Sequence, residues 1–94
     1  MFLMFIVYDN AVDEEIVEIV KKNADGYTKF LGVQGEGHGE PHLGSHIWPS
    51  INNCMMVAIE NNREKNIIEA TKKLEEQFPG IGIKVFTTSL RKVN

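Results

Sequence analysis

The chain has 94 residues, 10 Lys+Arg against 13 Asp+Glu, a formal net charge of -3, 43% hydrophobic residues and 24% charged ones. Residues 1–94 are expected to form one domain, and the balance excludes disordered, collagenous and coiled-coil chains. The acidic surplus argues against nucleic acid as a partner, and the single cysteine, Cys54, excludes a disulfide framework or a multi-cysteine zinc site.

The first element is the apolar run Met1 to Tyr8. It carries no Lys or Arg of the kind that opens a signal peptide, and Asp9 ends it well short of the about 20 residues of a membrane span. A short run rich in Phe, Ile and Val predicts a buried strand. The chain is therefore expected to be cytoplasmic and not inserted in a membrane, and a free Cys54 suits a reducing compartment.

A helix follows. Asn10 is placed to cap it, with Asp13 three residues on as the acid of a capping box. Val12, Ile16, Val20 and Ala24 recur at helical spacing, with Ile19 beside them. Acids come early and Lys21 and Lys22 late, as the helix dipole favours, and Asp25-Gly26 closes the element. The second strand is expected over residues 27–34 and the third, apolar on both faces, over 54–60. Asn61 or Asn62 is placed to cap a second helix with the stripe Ile67, Thr71, Leu74 and Phe78, which Pro79-Gly80 stops. A last strand is expected over residues 83–89.

The order β-α-β-β-α-β predicts an α+β, ferredoxin-like sandwich: a four-stranded antiparallel sheet with both helices on one face. The other face is left bare and apolar, which predicts self-association into a closed homotrimer.

One connection is too long for a hairpin. Residues 35–53 join the second and third strands where about 2 to 5 residues suffice. Gly35, Gly37 and Gly39 can turn backbone N–H groups towards an anion, although no Lys or Arg lies between Phe30 and Asn62. All three histidines, His38, His42 and His46, sit here beside Glu36 and Glu40, a donor set suited to zinc or nickel. Trp48, next to Pro49, is an apolar anchor for the loop. The glycines predict mobility over residues 36–46 when no ligand is bound. No phosphate-loop, nucleophile-elbow or C-x-x-C motif is present, and Cys54 has no partner at catalytic spacing, so an enzyme is not expected.

Gly26-Tyr27-Thr28 resembles the opening of the second strand in P-II nitrogen regulators, and Val33-Gln34-Gly35-Glu36-Gly37 resembles their entry to the T-loop. Gly44, His46-Ile47-Trp48-Pro49 and Asn52-Asn53 resemble a subgroup of small P-II-like proteins without an assigned role. The resemblance to the P-II-like superfamily implies a homotrimer that binds a small ligand, such as an adenine nucleotide, in clefts between subunits. It also implies a partner protein gripped through residues 35–53, and nitrogen regulation as the setting. Thr28, Gly35 and Gly37 carry over as cleft residues. Gly39 stands where the family has a glutamine that helps hold magnesium and nucleotide, and Pro79-Gly80-Ile81-Gly82-Ile83 lacks the family's lysine. The related CutA-like trimers are linked to divalent metals, which gives the alternative expectation: a metal-tolerance or metal-sensing protein using His38, His42 and His46.

Overall fold

A computed structural model describes residues 1–35 and 51–94. Its elements are strand β1 (Phe2–Asp9), a single 3-10 turn (Asn10–Val12), helix α1 (Asp13–Asn23), β2 (Thr28–Val33), β3 (Asn52–Ile59), helix α2 (Glu64–Gln77) and β4 (Ile83–Ser89). The sheet order is β2-β3-β1-β4, with every neighbouring pair antiparallel. This is the expected ferredoxin-like sandwich.

Strand parity sets the two faces of the sheet. Met4, Ile6 and Tyr8 of β1 lie opposite Val57, Met55 and Asn53 of β3, and all six are buried. They face the 3-10 turn, which contributes Val12, α1, which contributes Ile16 and Val20, and α2, which contributes Ile67, Thr71 and Leu74. Each apolar side chain so buried stabilises the fold by about 1.5–3 kcal/mol before entropy is counted. Buried Thr71 satisfies its hydroxyl by donating to Ile68 O at 2.8 Å. Phe78, at the end of the predicted stripe, is 40% exposed because α2 has already ended at Gln77. Gly80, at φ +88, then turns the chain back towards β4.

Neither helix starts as expected. Asp9, not Asn10, caps the 3-10 turn by accepting from Ala11 N at 2.8 Å. Asp13 does not reach back as a capping-box acid, because its carboxylate is engaged by Tyr8, Lys29 and Asn53. The tighter turn moves the first α-helical residue to Asp13, one turn beyond Asn10. Neither Asn61 nor Asn62 caps α2. A turn with Arg63 N donating to Glu60 O leads in, and Asn61 accepts from the N-terminal ammonium.

On the opposite sheet face none of the described helices packs. Leu3, Phe5 and Val7 of β1 meet Met56 and Cys54 of β3 and Phe86 of β4 there, and Phe30 of β2 pairs with Cys54. Phe30 is 45% and Phe86 60% exposed.

Candidate functional site

The long connection runs from Val33, the last residue of β2, to Asn52, the first of β3, and these two residues pair with each other. Its base is held by side chains as well as by the ladder. Between Phe30 and Val33 the pairing shifts by one residue, leaving Leu31 and Gly32 together opposite Asn53. Gly32 takes φ +63, a left-handed conformation that glycine adopts without a Cβ penalty, and its N–H donates to Asn53 Oδ1 at 3.2 Å.

Asn53 is buried, and its amide nitrogen is used as fully as its oxygen. Nδ2 donates to Asn10 Oδ1 at 2.9 Å and to Asp13 Oδ1 at 3.1 Å. Asp13 also accepts from Tyr8 Oη at 2.6 Å and from Lys29 Nζ at 2.9 Å on Oδ2 and 3.2 Å on Oδ1. One carboxylate thus joins α1, β1, β2 and β3. Burial by itself would raise the Asp13 pKa, but the hydrogen bonds from Tyr8, Lys29 and Asn53 and the Lys29 charge outweigh it and hold the carboxyl below its usual range. The same contact acts on Tyr8 in the opposite sense: burial first, then the Asp13 bond and charge, push its phenol well above the usual tyrosine value.

The same end of the sheet receives the α2–β4 turn. Asp9 N donates to Gly82 O at 3.0 Å, and Asn10 N donates to Ile51 O at 2.8 Å. The end of β1 therefore lies between the base of the long connection and the segment 79–82.

Thr28 lies at the other end of β2, on the uncovered face. With Leu3, Tyr27, Met56 and Ala58 it rims a hollow of about 220 Å³. A second hollow of about 390 Å³ adjoins it through Gly26 and Ala58, with Asp25, Glu60, Arg63 and Lys92 at its margin. Arg63 and Asp25 pair there at 3.7 Å. Thr28 opens β2 and Gly35 lies two residues beyond its end at Val33, so the whole strand, about 16 Å at 3.3 Å per residue, stands between them. Within one chain they do not meet. Gly37, His38, His42, His46 and Trp48 lie outside the described residues, as do Glu36 and Glu40 and the predicted mobile stretch. Among the described residues no group of three or more His, Cys, Asp or Glu side chains is arranged to hold a metal. No described helix is long and apolar enough to cross a membrane.

No protein-family model matches the sequence, and no curated protein does. Solved structures do match. CPII from Thiomonas intermedia K12, bound to ADP and bicarbonate, aligns over 93% of this chain and 82% of its own, with a TM-score of 0.70 and 20% identity. A further structure of CPII, a nitrogen regulatory PII-like protein, bound to ADP, AMP and bicarbonate, gives a TM-score of 0.73 at 16% identity, covering 93% and 82%. A protein of Thermus thermophilus classed with the PII-like signalling proteins gives 0.59 at 24% identity, again covering 93% and 82%. The fold is that of the PII-like proteins.

In this PII-like fold β2 ends at Val33 and β3 begins at Asn52, so Asn52 and Asn53, expected in the connection, are strand residues paired with Asp9 and Tyr8. The Tyr8–Asp13–Lys29–Asn53 cluster was not anticipated. Its signal was the parity of Tyr8 and Asn53 with the core residues Met4, Ile6, Met55 and Val57: a polar tip on the buried side of an apolar strand needs a partner. Which partner cannot be read from one strand alone.

Proposed function

We propose that this protein is a PII-like regulator, working in the cytoplasm as a homotrimer. It binds a small ligand in clefts between subunits and a partner protein through residues 35–53. The observation that carries this reading is the position of Thr28 at the start of β2 and of Gly35 just beyond its end, beside an apolar sheet face that no described helix covers. One chain cannot close a small-molecule site around both. A neighbouring copy seated on the bare face brings the Thr28 end of one strand to the Gly35 end and the 79–82 turn of another. Exposed apolar area of this extent is itself a reason to associate.

An adenine nucleotide is the ligand class favoured, since neighbours of the same fold carry ADP and AMP. Lys92 at the margin of the larger hollow is a cation that could meet a phosphate there, while Arg63 is already paired with Asp25 and Glu60 lies on the same rim. Catalysis is not part of the reading: burial pushes the Cys54 thiol pKa up, the opposite of what a nucleophile needs.

The test is a thermal-shift series with ADP, AMP and ATP, and with zinc and nickel for His38, His42 and His46, beside a light-scattering mass. A ligand at 100 times its Kd adds about 2.7 kcal/mol and raises the midpoint by several degrees. The reading expects a trimer mass and a shift with at least one nucleotide. A shift with metals alone would transfer the function to the histidines, and a monomer mass would end the cleft model.

A further inference from the structure

The bulge in β2 leaves an apolar residue in the wrong place. Lys29 faces the helices, since it reaches Asp13, and in an unbroken strand the residue two further on shares that face. That residue is Leu31, yet it is 71% exposed. Thr28, Lys29 and Phe30 pair with Met56, Met55 and Cys54, so the same register continued would set Leu31 opposite Asn53 and Gly32 opposite Asn52. Instead Val33 takes the place opposite Asn52.

We propose that β2 has two registers and that Asn53 selects between them. In the observed register Asn53 Oδ1 accepts from Gly32 N, the extra residue is held, and Leu31 turns outward. In the alternative, that bond is released, Gly32 leaves its left-handed conformation to pair with Asn52, and Leu31 turns to the helix-bearing face beside Asn53. A one-residue slip exchanges the faces of all that follows it in the strand. Val33, from which the long connection starts, then changes face. Because Asn53 Nδ2 is held by Asp13 and Asn10, the choice of register is tied to the start of α1. The opposing drives are specific: a buried amide and a permissive glycine on one side, apolar burial of Leu31 and a regular ladder on the other.

Two variants approach the alternative from different directions. Asn53→Ala removes the acceptor. Gly32→Ala leaves Asn53 intact but disfavours φ +63, and no atom lies within 4 Å of the added Cβ, so it acts through the dihedral alone. Gly80→Ala imposes the same kind of penalty at φ +88 in the α2–β4 turn and serves as the control. The readout is the set of cross-strand NOEs between β2 and β3 in the full-length protein. Both test variants are expected to pair residue 32 with Asn52 as the major form and to protect the Leu31 methyls, while Gly80→Ala keeps Val33 opposite Asn52. Retention of the Val33–Asn52 pairing in either test variant, with only a lower unfolding midpoint, overturns the proposal. If Asn53→Ala does not fold, Asn53→Ser, whose hydroxyl is too short to hold Gly32 N, takes its place under the same criteria.

Discussion

Asn53 Nδ2 lies 3.1 Å from Asp13 Oδ1, so a buried amide at the start of β3 and the first residue of α1 hold each other across the sheet. Tyr8 and Lys29 bond to the same carboxylate. The base of the long connection is therefore fixed by a hub of polar contacts under an otherwise apolar layer, and its removal has consequences that differ with pH.

Asp13→Asn is expected to cost about 1–3 kcal/mol at pH 7, since a charge-assisted set of hydrogen bonds is weakened and one donor is left facing another. The folded-state pKa of Asp13 is depressed, so its contribution is fully present above the unfolded carboxylate value of about 4 and is lost as pH falls through the lower folded value. The gap in urea midpoint between wild type and variant should stay constant from pH 8 to about 5 and shrink below about 4. A gap that does not change with acidification would mean that the carboxylate is not held.

Tyr8→Phe tests the alkaline side. The folded Tyr8 pKa is raised, so its contribution is complete below the unfolded value of about 10 and declines above it, where the unfolded phenol ionises and the folded one does not. The advantage of wild type over Tyr8→Phe, about 1–2 kcal/mol at neutral pH, should fall between pH 10 and 11. Equal slopes in both proteins over that interval would contradict the assignment.

Much of the fold was legible because strands and helices announce their buried sides by period. β4 occupies the predicted residues 83–89, and Val12, Ile16, Val20, Ile67, Thr71 and Leu74 are all buried. The helix starts were not legible: Asn10 and Asp13 have the composition of a capping box, but Tyr8 and Lys29 compete for Asp13 from strands that local sequence cannot place beside it. The bulge was hidden for a related reason. Gly32 signals that a positive φ is available, but only Asn53, distant in sequence, says that it is used. Thr28 and Gly35 were named as candidates from the resemblance alone, and the expected strand over residues 27–34 already set them at its two ends, as β2 (Thr28–Val33) does.

Core and surface should separate sharply in mutagenesis. Ile16→Ala, at a fully buried position on α1, is expected to destabilise by about 2–5 kcal/mol, while Val93→Ala, at 83% exposure, should change stability by less than about 0.5 kcal/mol. Urea denaturation of both variants checks this, and comparable losses would place the core elsewhere.

Cys54 reports on the bare sheet face. It pairs with Val7 and with Phe30 there, beside the surface assigned to self-association. Phe86→Asp sets a charge on that face at a position 60% exposed in one chain, where the fold itself tolerates it. The variant is expected to return a monomer mass with an unchanged far-UV spectrum, and its Cys54 should be alkylated by iodoacetamide at least several-fold faster than in wild type. Equal rates and equal masses would mean that the face is not an interface.

The central claim is that the ligand site exists only between copies, and calorimetric titration of ADP into wild type and into Phe86→Asp tests it most directly. One ADP per chain is expected for the assembled protein, and an affinity at least about tenfold weaker, 1.4 kcal/mol, for the folded monomeric variant. Equal affinity in the two proteins, or no binding to the assembled one, would contradict it.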